Sequence, residues 1–159
     1  MGMIGCYVAV DDDTAKRIAD GELDIFELDE EKYPTLDIDK TWEAICYMLT
    51  GDICEGEPPL SYVVPLLDDN ALDVDMDFGA FYLTSERVKE GYEAIKNMGE
   101  AELKSIFSLE RMKEDEIYPV TEDEDKEGFF SYVYQHFQAL KEFYKSTSES
   151  GKNLIFYIS

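Results

Sequence analysis

The chain has 159 residues, 45% of them hydrophobic and 13% aromatic, with 37 acidic against 14 basic residues and a formal net charge of −23. This apolar content suffices for one domain with a real core and argues against wholesale disorder. The charge argues against non-specific nucleic-acid binding, which needs a positive face to displace counterions, and against an anionic membrane surface, whereas a basic protein or cations would be attracted.

The apolar, β-prone run from Gly2 to Val10 predicts a buried strand. Asp11-Asp12-Asp13 supplies an N-cap and acidic first turn for a short helix from Thr14 to about Asp20, stopped by Gly21. Residues 22–34 are acidic with scattered Leu, Ile and Phe, and Tyr33-Pro34 breaks any helix there. Leu36 to Asp39 fits a short strand, with Asp39 as the cap of a helix from Lys40 to about Thr50 and Gly51 as its stop. Trp42, Ile45, Cys46 and Leu49 share the apolar stripe of that helix.

Residues 51–77 are the least regular, with Pro58, Pro59 and Pro65 favouring loop. Phe78 to Thr84 predicts a second buried strand, and Thr84 or Ser85 caps a helix that carries Val88, Tyr92, Ile95 and Met98 and ends at Gly99. Two short helices follow, Glu100 to Phe107 and Leu109 to Asp115, the second capped by Ser108. Tyr118-Pro119 predicts a turn, Phe129 to Ser146 a long amphipathic helix, and Asn153 to Ile158 a last strand after Gly151. Strands separated by helices define an α/β class, with residues 1–159 as one domain.

The motifs with chemical potential each have a plainer explanation. Asp73-Val74-Asp75-Met76-Asp77-Phe78-Gly79 imitates a calcium loop, but Phe78 and Thr84 stand where an EF-hand needs Gly and a bidentate Glu. Asp37 and Asp39 flank Ile38. On a strand they would share one face about 7 Å apart, as a cation site or an acid–base pair. The simpler account makes Asp39 a helix cap and leaves Asp37 exposed or paired with Lys40. His136 is the only histidine, and it lies inside the long aromatic helix. Cys6, Cys46, Cys54 and His136 show no zinc spacing, and no nucleophile elbow or phosphate loop is present. Three cysteines and a start without a basic n-region or long apolar run predict a reduced, cytoplasmic protein that binds no cofactor or metal.

Met1-Gly2-Met3-Ile4-Gly5, Leu36-Asp37-Ile38-Asp39-Lys40-x-Trp42, Leu49-Thr50-Gly51, Phe107-Ser108-x-x-Arg111 and Glu116-Ile117-Tyr118-Pro119 occur in that order. Together they resemble the YfbM-like family, small bacterial proteins of unknown function, over essentially the whole chain. The resemblance implies one compact α/β domain, a small mixed sheet flanked by helices, and it implies no activity or catalytic residue.

Two functions from different classes fit these residues. One is a protein-binding module for a basic partner, of which an immunity-type inhibitor is an example; it rests on the charge, the abundant Tyr and the lack of a catalytic signature. The alternative is an enzyme or small-ligand binder with a cleft at the Asp37–Trp42 junction, built from Asp37, Asp39, Lys40, Trp42 and Tyr118.

Overall fold

The computed structural model describes residues 2–52, 56–66, 68–74 and 76–159. Cys54, and Asp75 of the calcium-loop-like stretch, lie outside the described residues. The strands are β1 (Gly5–Val10), β2 (Thr35–Asp37), β3 (Ala71–Leu72), β4 (Ala80–Leu83) and β5 (Asn153–Ile158). The helices are α1 (Asp12–Ala19), α2 (Trp42–Thr50), α3 (Ser85–Ile95), α4 (Glu100–Ile106), α5 (Leu109–Glu114) and α6 (Lys126–Glu149). The five strands form one sheet in the order β2-β1-β5-β4-β3.

An α/β domain with a small sheet flanked by helices therefore forms, as expected. Every pairing in the sheet is antiparallel, where a mixed sheet was expected. The cause is the last strand. β5 inserts between β1 and β4 and runs against both, so the two that share a direction never touch.

Strand alternation sends side chains to two unequal layers. Tyr7, Leu83, Leu154, Phe156 and Ile158 enter a large core with Trp42, Ile45, Val88, Val133, Phe137, Leu140 and Tyr144 from α2, α3 and α6. Val8, Val10, Ala80 and Ile155 face the other way and meet Ala15 and Ile18 of α1 with Ile25 and Tyr33 of the following loop, edged by partly buried side chains such as Leu23, Val74 and Met76. One face of the sheet is thus roofed by long helices, and the other by an eight-residue helix and irregular chain.

The local signals explain most boundaries. Asp11, Thr84, Ser108 and Asp125 each accept a backbone N–H at a helix start. Gly51 closes α2 with φ of 78°, the left-handed conformation that favours glycine. α6 exceeds the expected Phe129–Ser146 at both ends. Gly128 and the Ser-Thr-Ser tail are poor helix formers, but the Asp125 cap and the burial of Phe129 and Thr147 override that preference. β1 begins at Gly5 rather than Gly2, because Met3 bonds to Tyr118 and Trp42 and only Ile4 exchanges backbone bonds with Ser159.

The core carries two phenols whose chemistry is testable. Tyr7 and Tyr144 are both fully buried and their rings meet edge to face; the Tyr7 hydroxyl donates to the Val63 carbonyl at 2.7 Å, and the Tyr144 hydroxyl donates to the Tyr62 carbonyl at 2.6 Å with the Val63 carbonyl also at 2.9 Å. Burial raises both phenols well above their ordinary ionisation range. The folded state then keeps protons that the unfolded chain releases above about pH 10. Their stabilisation is complete below that pH, and it falls by roughly 1.4 kcal/mol per pH unit for each phenol as pH climbs through the window toward the folded values. Denaturant midpoints measured across alkaline pH will fall in step. Ionisation of all 11 tyrosines near pH 10 with the fold intact would contradict this burial.

Candidate functional site

The strand-to-helix junction gathers the five expected residues into two adjoining hydrogen-bonded groups that meet at Gly2. β2 pairs Asp37 with Cys6, and the Ile38 N–H then donates to the Gly5 carbonyl. Ile38 is fully buried, and the chain turns at it with φ of −102° and ψ of 17°. Asp37 and Asp39 therefore do not share a pleated face. The Asp37 carboxylate folds back to accept the Asp39 N–H at 2.7 Å, while Asp39 takes a left-handed φ of 53°. Asp tolerates that region better than most residues because its short polar side chain bonds locally.

Asp39 is also not the cap of α2. A 3-10 turn, Asp39–Thr41, intervenes, and Thr41 stands before the helix without a side-chain capping bond. The Asp39 carboxylate is engaged elsewhere, accepting the Tyr132 hydroxyl of α6 at 2.6 Å. That same hydroxyl accepts the Lys40 N–H at 3.2 Å. Burial first, and then donation to Asp39, push the Tyr132 phenol up to about 12. His136 lies one turn along α6, its ring edge-on to Tyr132 at 5.2 Å.

The second group ties down the N-terminus. The Trp42 indole N–H donates to the Met3 carbonyl at 2.9 Å, and the Met3 N–H donates to the Tyr118 hydroxyl at 2.8 Å. The Trp42 and Tyr118 rings are 6.1 Å apart. The Tyr118 N–H donates to the half-buried Glu43 carboxylate, whose ionisation burial shifts upward against that bond. The Lys40 stem crosses Gly2 so closely that a Cβ there would sit 2.2 Å from Lys40 Cε.

Tyr132, Glu43 and Met3 are the members that the sequence did not announce. Tyr132 lies 93 residues from Asp39 and Glu43 lies 75 from Tyr118, so no local spacing links them. The available hint is Tyr132 and His136 on one helix face, four residues apart.

Sizeable cavities are found elsewhere among the described residues. One of about 590 Å³ is lined by Tyr62, Asp69, Asn70, Tyr82, Thr84 and Arg87. In it Arg87 forks onto both Asp69 oxygens at 3.4 and 3.2 Å, and its guanidinium lies 5.0 Å from the Tyr62 ring centre. A smaller one, about 310 Å³, opens on the thinly roofed side of the sheet. Among the described residues no three His, Cys, Asp or Glu side chains converge as metal ligands, and no helix is long and apolar enough to cross a membrane.

With one antiparallel sheet, two unequal layers and the Asp39–Tyr132 and Met3–Trp42–Tyr118 contacts established, known proteins can be set beside this one. The chain matches the family described as Domain of unknown function (DUF1877) over residues 1–157, and it belongs to that family. It is similar to protein YfbM of Escherichia coli (strain K12), at 28% identity over 166 residues that cover 98% of this chain and 97% of that protein. The crystal structure of YfbM from Escherichia coli, a protein of unknown function, has the same fold: TM-score 0.78 at 23% identity, covering 99% of this chain and 100% of the other.

Proposed function

We propose that this domain is a binding module for a basic protein partner. The observation that supports it is a net charge of −23, from 37 acidic against 14 basic side chains: among the described residues, ion pairs engage Glu22, Asp69, Glu93 and Glu100, and caps or hydrogen bonds hold others such as Asp11, Asp39, Glu43 and Asp125, while exposed carboxylates such as Glu27, Glu30 and Glu31 face solvent. Unpaired like charges destabilise the compact state through mutual repulsion. Carrying so many is explained if they steer and hold an oppositely charged surface, the arrangement that raises association rates and rejects wrong partners. An immunity-type inhibitor of a basic toxin is one protein class with this behaviour.

A small-ligand or catalytic role at Asp37, Asp39, Lys40, Trp42 and Tyr118 is the second reading, favoured by their convergence at one junction. Against it, Asp39 is bonded to Tyr132, Trp42 and Tyr118 to Met3, and Asp37 to the Asp39 backbone. These are bonds that lock a junction, and a ligand would have to break them.

Affinity capture of the tagged protein from a lysate of its own organism, at low and at high salt, tests the first reading. It predicts a stoichiometric basic protein that is retained at low salt and lost at high salt, since screening shortens the reach of exposed charge. An empty capture from folded protein, or a partner indifferent to salt, would overturn it.

A further inference from the structure

The thinly roofed face of the sheet carries an opening in its apolar cover. Between the end of α1, the loop after it and the chain that follows β3 lies the groove of about 310 Å³, walled by Ile18, Leu23, Ile25, Val74, Met76 and Ala80, with Phe26 at its edge. Phe26 is 60% exposed, its ring held edge-on to Tyr157 at 5.5 Å. Phe78, two residues beyond Met76, is 50% exposed. An exposed aromatic ring at the edge of an apolar groove is the kind of apolar patch that marks an interaction surface.

The rim, formed by the loop that walls the groove, has the opposite character, and Asp24 and Asp73 line the groove itself. Residues 20–31 hold seven carboxylates and neither Lys nor Arg. Glu22, Asp24, Glu27, Asp29, Glu30 and Glu31 are all exposed, and Asp73 stands across the groove. Asp24 and Asp29 are tied to the backbone, accepting the Phe26 and Glu31 N–H groups, so the rim has a defined shape. The nearest cation on α1, Arg17, is paired with Glu22 at 3.8 Å.

We infer that this groove is the docking surface for the basic partner, which inserts an apolar side chain between Leu23, Phe26, Val74 and Met76 and sets Lys or Arg against the 20–31 rim. The inference rests on the partner reading above and gives it a location. An apolar centre inside a charged rim is the usual anatomy of a protein interface. Charge decides the occupant. A second copy of this chain would bring two acidic rims together, and an anionic membrane would be repelled by the same carboxylates. A basic surface with an exposed Leu, Met or Phe satisfies both the groove and its rim.

Two synthetic peptides of equal positive charge separate the possibilities, one alternating Leu with Lys and the other Ser with Lys, each titrated into isotope-labelled protein and followed by amide shifts. The Leu–Lys peptide is expected to move Leu23, Phe26, Val74 and Met76 saturably and to bind at least about tenfold tighter than the Ser–Lys peptide. Phe26→Ser, at an exposed position, should lower the Leu–Lys affinity at least about fivefold while melting and the remaining spectrum stay unchanged. Equal affinity for the two peptides, or shifts spread over other acidic surfaces, would overturn the groove and leave the basic-partner reading standing. Binding of neither peptide at low salt would overturn both.

Discussion

Phe137→Ala will lower the unfolding free energy by about 3–5 kcal/mol, the range for emptying a well-packed aromatic site. Phe137 is fully buried at the middle of α6, on the stripe Val133, Phe137, Leu140 and Tyr144 that faces the sheet. It belongs to the same buried core as Tyr7, Tyr144 and Phe156, whose rings pack on one another at 4.8–5.9 Å. The loss includes the cavity left behind as well as the transfer of the ring. Domains are stable by only about 5–15 kcal/mol, so this one change removes a large share. Chemical denaturation reads it directly; a loss under about 1 kcal/mol would mean that Phe137 is not tightly packed in the core.

Trp42→Ala will cost a similar amount, about 3–5 kcal/mol, and will do so without any ligand present. Trp42 is only 7% exposed, and its indole holds the Met3 carbonyl. Its Cβ side presses on the backbone at Gly5, where an added Cβ would meet Trp42 Cβ at 2.9 Å. Removing the indole opens a cavity, frees the Met3 carbonyl and unpins the chain before β1. Faster hydrogen exchange at Met3 and Ile4 should accompany the lower denaturant midpoint. A variant of undiminished stability would favour the reading of Trp42 as a ligand platform instead of a structural clamp.

The legible parts of the fold are those specified by neighbours in sequence. β5 matches its expected span at both ends because the apolar run Leu154 to Ile158 closely follows Gly151, which takes a φ of 65°. The starts at Thr84 and Ser108 were visible as capping residues before periodic runs. What failed to show depends on distant chain. Asp39 carries every local mark of a cap, yet a hydroxyl from α6 captures its carboxylate and the backbone passes through the left-handed region. The direction of the sheet was hidden because β5, the final element, decides it. The weak cover of the second face was hidden too, since Leu23, Phe26 and Met76 look like ordinary loop hydrophobics until the groove between them is seen. All five expected junction residues were brought together, but Tyr132, which joins two of them, was not foreseeable from spacing.

Glu27, Glu30 and Glu31, exposed carboxylates of the loop that walls the groove, are proposed to serve a partner and not the fold. Replacing the three together tests this, because all are exposed and substitution to Gln keeps their shape. Asp24 and Asp29 are spared because they hold the loop. The triple variant Glu27→Gln, Glu30→Gln, Glu31→Gln is compared with the unaltered chain by melting and by low-salt capture. The account predicts a melting temperature no lower than before, since repulsion is relieved, and a clear drop in recovery of the basic partner. Undiminished recovery of that partner would contradict it.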